Sequence, residues 1–320
     1  MNNIKCLFPC LDSIKKHNSV SYETLVVAYM FSQENLELLS NNYPWVTIIQ
    51  SNELRGFAEN NNIALEQAQG QYCFIVNDDT YMNMPVIDML VGDIESLPEE
   101  AAAITPKVVF PNGKVQTCGR APWTPCRYLR HYLHMVDESE ASKWTMQNGL
   151  FQTYTLNGAC FLIKTSIFRT LGWFDTTYTF TPEDVAIGTL LCVKGYKVYA
   201  DRDIVITHIA NATASSLEAA IKPTRVRGSL IFYSSLGNIS PNQGIDKCNP
   251  LIYIFMGTLI WCFEAARGLK YLFCDCSDKN EKTRRNRLMR DTAANVRKHI
   301  FTKKTTKEIF TDLYNQVKKS

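Results

Sequence analysis

Short apolar runs alternate with stretches of helical spacing over the first two thirds of this chain. Residues 25–28 and 46–50 are brief, β-branched runs that predict strands. Residues 57–69 carry Ile63, Ala64 and Ala68 at helical spacing, with Gly70 placed to end the helix. Residues 72–76 are continuously apolar and predict a buried strand that stops at Asn77-Asp78-Asp79-Thr80. Pro111-Asn112-Gly113, inside residues 108–115, marks a hairpin, and residues 198–208 predict a further strand. Strands alternating with helices predict an α/β fold with a mainly parallel sheet.

The pattern changes after residue 216. Residues 217–236 predict a helix interrupted at Pro223. Residues 251–263 contain no charge, but such a run is shorter than the roughly 20 residues a bilayer span needs. It continues into Glu264, Arg267 and Lys270, as an amphipathic helix would. Between 279 and 307 there are 11 Lys and Arg against 2 Asp and Glu. Two readings stand side by side: an interfacial anchor on anionic lipid, or a helix packed on the rest of the chain beside a solvated charged face. The basic stretch favours the membrane surface. The expected organisation is a catalytic domain over 1–216 and a helical, basic extension over 217–320.

Composition narrows the setting. The chain has 320 residues, 46% hydrophobic and 20% charged, enough for a globular core. A net charge of +3 gives no reason to expect a nucleic-acid partner. The 11 cysteines are scattered, and the first 18 residues lack the apolar core of a secretory signal, so reduced thiols and a cytoplasmic location are expected. Cys274-Asp275-Cys276 has no second pair to complete a metal site and reads as two surface thiols.

Four constellations carry candidate chemistry. Asn77-Asp78-Asp79 ends a buried strand, where open α/β sheets bind ligands. Adjacent carboxylates there repel unless a cation sits between them, although an acidic turn alone can simply cap the next segment. Glu183 and Asp184 stand where a helix starts. They complement its dipole or, for Asp184, supply a general base for an acceptor hydroxyl. His208 ends a strand, as Asp79 does, and a lone histidine is more often structural than a ligand. Gly56 opens a helix that continues into Asn60, Asn61 and Asn62, which reads as a capping array or as a polar contact beside an anion-binding helix terminus.

Taken in order, these segments resemble the inverting glycosyltransferases of family two, in the rhamnosyltransferase-like branch with a GT-A fold. The resemblance runs from about residue 11 to about residue 216. It rests on Gly56-Phe57-Ala58 with Asn61-Asn62; on Asn77, Asp79 and Thr80; on Gly158-Ala159-Cys160 with its apolar run; on Gly172-Trp173-Phe174-Asp175; on Glu183-Asp184; and on His208. It implies a nucleotide-sugar donor (a dTDP- or UDP-sugar), a divalent Mg or Mn ion, and a glycan or lipid-linked acceptor in surface polysaccharide synthesis. Asp79 and His208 would hold the metal. Gly56, Asn61, Asn62, Asn77 and Asp78 would shape the donor site. Asp184 would be the base, helped by Glu183, with Gly158, Ala159, Cys160 and Trp173 on the acceptor and sugar side.

Two departures stand out. The apolar strand that opens the family is not matched by residues 1–8, so the chain starts in the first helix. Ala28 stands where relatives place an Asp that holds the nucleotide. The alternative to an active enzyme is therefore a degenerate relative that binds without turnover. A dinucleotide-binding dehydrogenase would need a Gly-x-Gly-x-x-Gly turn, and the sequence has none.

Overall fold

The computed structural model describes residues 2–119, 123–135, 149–210, 217–236, 248–273 and 281–319. Cys274 and Cys276 lie outside them, and the nine cysteines inside them whose side chains are placed are free thiols. The chain clusters into two compact units. One comprises residues 1–122, 138–175 and 183–213, the other residues 123–137, 176–182 and 214–320.

The first unit opens with α1 (Ile4–His17), followed by β1 (Leu25–Tyr29), α2 (Gln33–Asn42) and β2 (Thr47–Ser51). Next come α3 (Phe57–Leu65), β3 (Tyr72–Val76), β4 (Thr80–Met82), α4 (Val86–Ser96) and the β5–β6 hairpin (Ala101–Val109, Val115–Thr117). The predicted Pro111-Asn112-Gly113 turn joins that hairpin, with Gly113 at φ +80°. β7 (Leu150–Thr153) and β8 (Cys160–Lys164) precede α6 (Thr165–Thr170), α7 (Glu183–Val193) and β9 (Lys197–His208); α5 belongs to the other unit.

The α/β class holds, but the mainly parallel sheet holds only in part. A seven-stranded sheet runs β3-β8-β5-β9-β4, with β6 on β5 and β7 on β9. Only β5–β9 is parallel within it. β1 and β2 pair in parallel as a separate two-stranded sheet. The reason is chemical: β8 is buried over Cys160–Ile163, and a strand covered on both faces carries the same apolar run whichever way its neighbours point. Among the described residues, no strand pairs with the other edge of β1 or of β3.

Alternation along the strands builds two cores. Phe161 and Ile163 of β8 join Cys73 and Ile75 of β3 against α3, α6 and α7. Cys160 and Leu162 face the other way, onto Cys10 and Ile14 of α1 and Leu90 and Ile94 of α4. The small sheet has its own cluster, in which Leu7, Leu11, Leu39 and Tyr43 pack with Val26 and Ile48.

α3 ends at Leu65, four residues before the expected end at Gln69. Its last turn tightens through Gln67 and Ala68 amides donating to Ala64 and Leu65 carbonyls. The Gln69 and Gly70 amides donate instead to the Glu23 carboxylate at 2.7 and 3.1 Å, which draws the chain out of the helix.

The second unit is helical: α5 (Pro125–Tyr132), α8 (Glu218–Ser235), α9 (Pro250–Phe273), α10 (Glu281–Ile300) and α11 (Thr306–Lys319). α8 is not interrupted at Pro223. The carbonyl that a residue-223 amide would have served, Ala219 O, accepts instead from Asn295 Nδ2 of α10 at 3.5 Å. α9 also outruns the charge-free stretch read from the sequence. Its Glu264 is fully buried, accepting from Tyr132 Oη at 2.5 Å, with Arg267 at 2.8 Å and Lys222 at 3.5 Å. A paired carboxylate is tolerated inside a helix, and residues Pro250–Tyr271 are long and apolar enough, by length and composition, to cross a membrane.

Candidate active site

The acidic turn sits at the carboxyl end of β3. Thr80 closes it by donating both its amide (3.3 Å) and its hydroxyl (2.8 Å) to the Asn77 carbonyl. Beneath it, the Cys10 thiol of α1 lies 3.7 Å from Thr80 Oγ1, and burial pushes that thiol up to about 12, so it is an inert filler. Burial also raises the Asp78 carboxyl above its usual range, with the neighbouring Asp79 charge adding to the effect.

Asp79 is 8% exposed and meets His208 directly, with Oδ1 3.1 Å from Nε2. The β4–β9 ladder sets this contact. Thr80 pairs with His208, and the Ile209 amide donates to the Asp79 carbonyl at 2.9 Å. Two residues 129 positions apart, both expected at the metal, are therefore brought into contact.

A residue that sequence reasoning missed stands behind the histidine. Gln116 of β6 donates from Nε2 to the His208 backbone carbonyl at 2.6 Å, and its Oε1 lies 2.9 Å from His208 Nδ1. The carbonyl can only accept, so the amide end beside it is the NH2 group and the other end is oxygen. Nδ1 must then carry the proton. In neutral His208, Nε2 therefore turns a lone pair toward the Asp79 carboxylate. Two acceptors at that distance need either a proton or a cation between them. No local motif announces Gln116: it comes to His208 only because the β5–β6 hairpin folds back beside β9.

The acceptor pair fits a divalent ion. Neighbouring ligands of an octahedral ion with bonds of about 2.1 Å stand about 3 Å apart. Among the described residues, no group of three or more His, Cys, Asp or Glu forms a metal cluster. Asp79 and His208 would hold the ion, leaving its other positions to phosphate oxygens and water.

Asp184 opens α7 and has both oxygens held by main chain: Oδ2 accepts from the Gly158 amide at 3.0 Å and Oδ1 from the Val185 amide at 2.8 Å. The residue after Gly158 ties the other half in, since the Ala159 carbonyl accepts from the Asn77 amide at 3.0 Å. One two-residue segment thus bonds both the β3 turn and the candidate base. A Cβ on Gly158 would stand 3.4 Å from Asp184, so the loop lies directly against the carboxylate. Glu183 precedes it, buried, at the first position of α7.

Other expected site residues are employed differently. Cys160 is fully buried in the core with its thiol pushed well up by burial, so its side chain lines no cleft. Asn62 does not face a donor pocket with its amide. It donates to the Phe174 carbonyl at 2.9 Å and accepts from the Phe174 amide at 3.1 Å, clamping α3 to the loop before α7. Asn61 donates to the Phe57 carbonyl of its own helix at 2.9 Å. Trp173 (φ +67°) packs on Phe168 and under the Arg169 guanidinium, and no described contact joins it to Asp79 or Asp184. Gly56 caps α3, its amide donating to Glu59 at 3.3 Å. Ala28 is 1% exposed on β1 and offers no polar side-chain atom.

Known proteins share this arrangement of elements. The chain is similar in fold to a mannosyltransferase from Pyrobaculum calidifontis, PcManGT, solved with GDP-Man and Mn2+. The TM-score is 0.55 at 15% identity, over 95% of this chain and 85% of that one. It is also similar to GalNAc-T7 solved with UDP, GalNAc and Mn2+, with a TM-score of 0.52 at 14% identity, over 79% of this chain and 52% of that one. In sequence it is 27% identical over 160 residues to the O-antigen biosynthesis protein RfbC of Myxococcus xanthus. That stretch is 48% of this chain and 12% of the relative. Residues 2–172 match the family model described as glycosyl transferase family 2. Asp184 and His208 fall beyond that stretch, so their roles rest on geometry. More than half of the chain lies within the match, and the chain belongs to glycosyl transferase family 2.

Proposed function

We propose that this chain moves a sugar from a dTDP- or UDP-sugar to a hydroxyl of a glycan or lipid-linked acceptor, with inversion, in surface polysaccharide synthesis. The observation that carries the reading is the Asp79–His208 pair, 3.1 Å apart beside a turn that Ala159 links to the Asp184 loop. The relatives' solved complexes with nucleotide or nucleotide-sugar and Mn2+ support it.

Asp184 accepts the proton of the acceptor hydroxyl while that oxygen attacks the anomeric carbon. The bond from that carbon to the donor's diphosphate breaks on the opposite face, so configuration inverts. Gly158 and Val185 amides hold the Asp184 carboxylate still during the transfer, leaving a lone pair for the hydroxyl. Asp79 and His208 bind, and Gln116 orients His208. The ion, when bound, offsets charge growing on the departing diphosphate.

The test is a screen of nucleotide sugars for binding and turnover, with and without Mn2+ or Mg2+, on the parent chain and Asp79→Ala. Metal-dependent turnover of one donor, lost in Asp79→Ala, is the expected result. Absence of binding to every donor by folded protein overturns the reading. A second reading, binding without turnover, draws on Ala28 and on the unpaired edges of β1 and β3 among the described residues.

A further inference from the structure

The helical unit presents a surface that the catalytic reading leaves unused. α9 has two apolar faces. One packs into the bundle: Tyr253, Met256 and Ile260 are buried, and Gly257 and Gly268 lie against Ile300 and Ala293 of α10. Those two contacts also show that α9 and α10 run antiparallel. The other face is open. Leu251, Ile254, Phe255, Leu259, Trp261 and Leu269 are exposed, with Leu251 at 77% and Phe255 at 62%. At 3.6 residues per turn all six fall on one broad side of the helix. Phe301 continues it at the foot of α10, beside Gly257, and is 51% exposed. Isolated exposed leucines are ordinary; a stripe of this length with two large aromatics marks an interaction surface.

The charge beside the stripe says what covers it. The Arg297 guanidinium of α10 stands 5.7 Å from the exposed Trp261 ring, at the border of the apolar face. Further along α10, Arg284, Arg285 and Arg287 are exposed, as are Lys298 on α10, Lys303 after it, and Lys270 on α9. We infer that this face lies flat on an anionic lipid surface, with the α9 stripe among the acyl chains at the headgroup boundary and the α10 cations on lipid phosphates. An anionic bilayer offers partners to the apolar stripe and to exposed cations of the same unit alike. The bundle-facing side of α9 argues against a span: Glu264 is fully buried there, with Arg267 at 2.8 Å and Lys222 of α8 at 3.5 Å, so charged groups sit within the helix's length.

The experiment is co-sedimentation of the full chain with vesicles of phosphatidylcholine alone and of an equimolar mixture with phosphatidylglycerol, at low and high salt. The parent binds the mixed vesicles, and salt releases it. Ile254→Ser with Phe255→Ser lowers the partition coefficient at least about tenfold. Arg284→Gln with Arg285→Gln and Arg287→Gln lowers it roughly 100-fold on mixed vesicles. Both variants alter exposed side chains, and an unchanged melting temperature confirms their folding. Equal binding to both vesicle types, or variants that bind like the parent, overturns the inference. Retention after alkaline carbonate overturns it in favour of a span. A dimer that the Ile254/Phe255 variant dissociates, without vesicle binding by the parent, overturns it in favour of a second copy.

Discussion

Gln116 fixes the tautomer of His208: one amide spans the histidine's own backbone carbonyl and its Nδ1, so Nε2 is left to face Asp79. Outer partners of this kind set ligand orientation, and their loss typically costs about 10–100-fold in metal affinity. Gln116→Leu is expected to weaken Mn2+ binding by about that factor, read by titration on the purified chain. Nitrogen NMR of His208 separates positioning from general damage. The parent shows Nδ1 protonated, and the variant shows a mixture of tautomers. A variant with unchanged Mn2+ affinity would sink the assignment.

Asp184→Asn keeps the shape and removes the charge. An amide offers one oxygen and one NH2 group where the carboxylate offered two acceptors to Gly158 and Val185. Loss of a general base lowers kcat by roughly 10²–10⁴-fold. Donor affinity should change far less, so the split between kcat and donor Kd is the measurement. Equal loss in both would move Asp184 from base to binding residue.

Asn62 can be a clamp on Phe174 or a donor contact, and one substitution separates the two. If its amide serves the Phe174 main chain, Asn62→Ala lowers stability by about 1–3 kcal/mol, because two backbone groups lose their partner. Nucleotide-sugar Kd stays as in the parent. A large rise in Kd with little change in melting temperature would return Asn62 to the donor pocket.

Away from the site, Asp93 of α4 and Asp201 of β9 face each other. Burial and the Asp201 carboxyl raise Asp93 from 3.8 to about 7. The native state then keeps a proton that the unfolded chain releases near 3.8. Stability from this proton is fully present below that value and lost as pH rises through about 7. Asp93→Asn should therefore raise the melting temperature at pH 8, by roughly 2 °C or more, and leave it unchanged near pH 4. The same shift at both pH values would rule the shared proton out.

What the sequence made legible follows the range of each signal. β3 and the hairpin at Pro111-Asn112-Gly113 are local, set by apolar runs and turn residues, and both were readable. Asp79 and His208 could be singled out because the pattern set each at an expected strand end, and the fold brings them into contact across the β4–β9 ladder. Strand direction was not, since β8 is as apolar beside antiparallel β3 as a parallel strand would be. Asn62 carried a polar label that suited a pocket, but only the fold could show it spent on Phe174. Gln116 had no local mark at all, because its partner lies 92 residues away.

The split between the two sheets has a consequence for cooperativity. β1 and β2 share no ladder with the seven-stranded sheet and rest on a cluster of their own. A layer joined to the rest by α1, α3 and a few side-chain bonds can open by itself, at a free energy below that of global unfolding. Its amides would then exchange with solvent through a local route, while those of β5, β8 and β9 wait for the whole domain. The same helix that closes this layer also underlies the site: Leu7 and Leu11 of α1 pack on the small sheet while Cys10 lies beneath the Asp79 turn, so exchange in the layer reports on the floor of that turn.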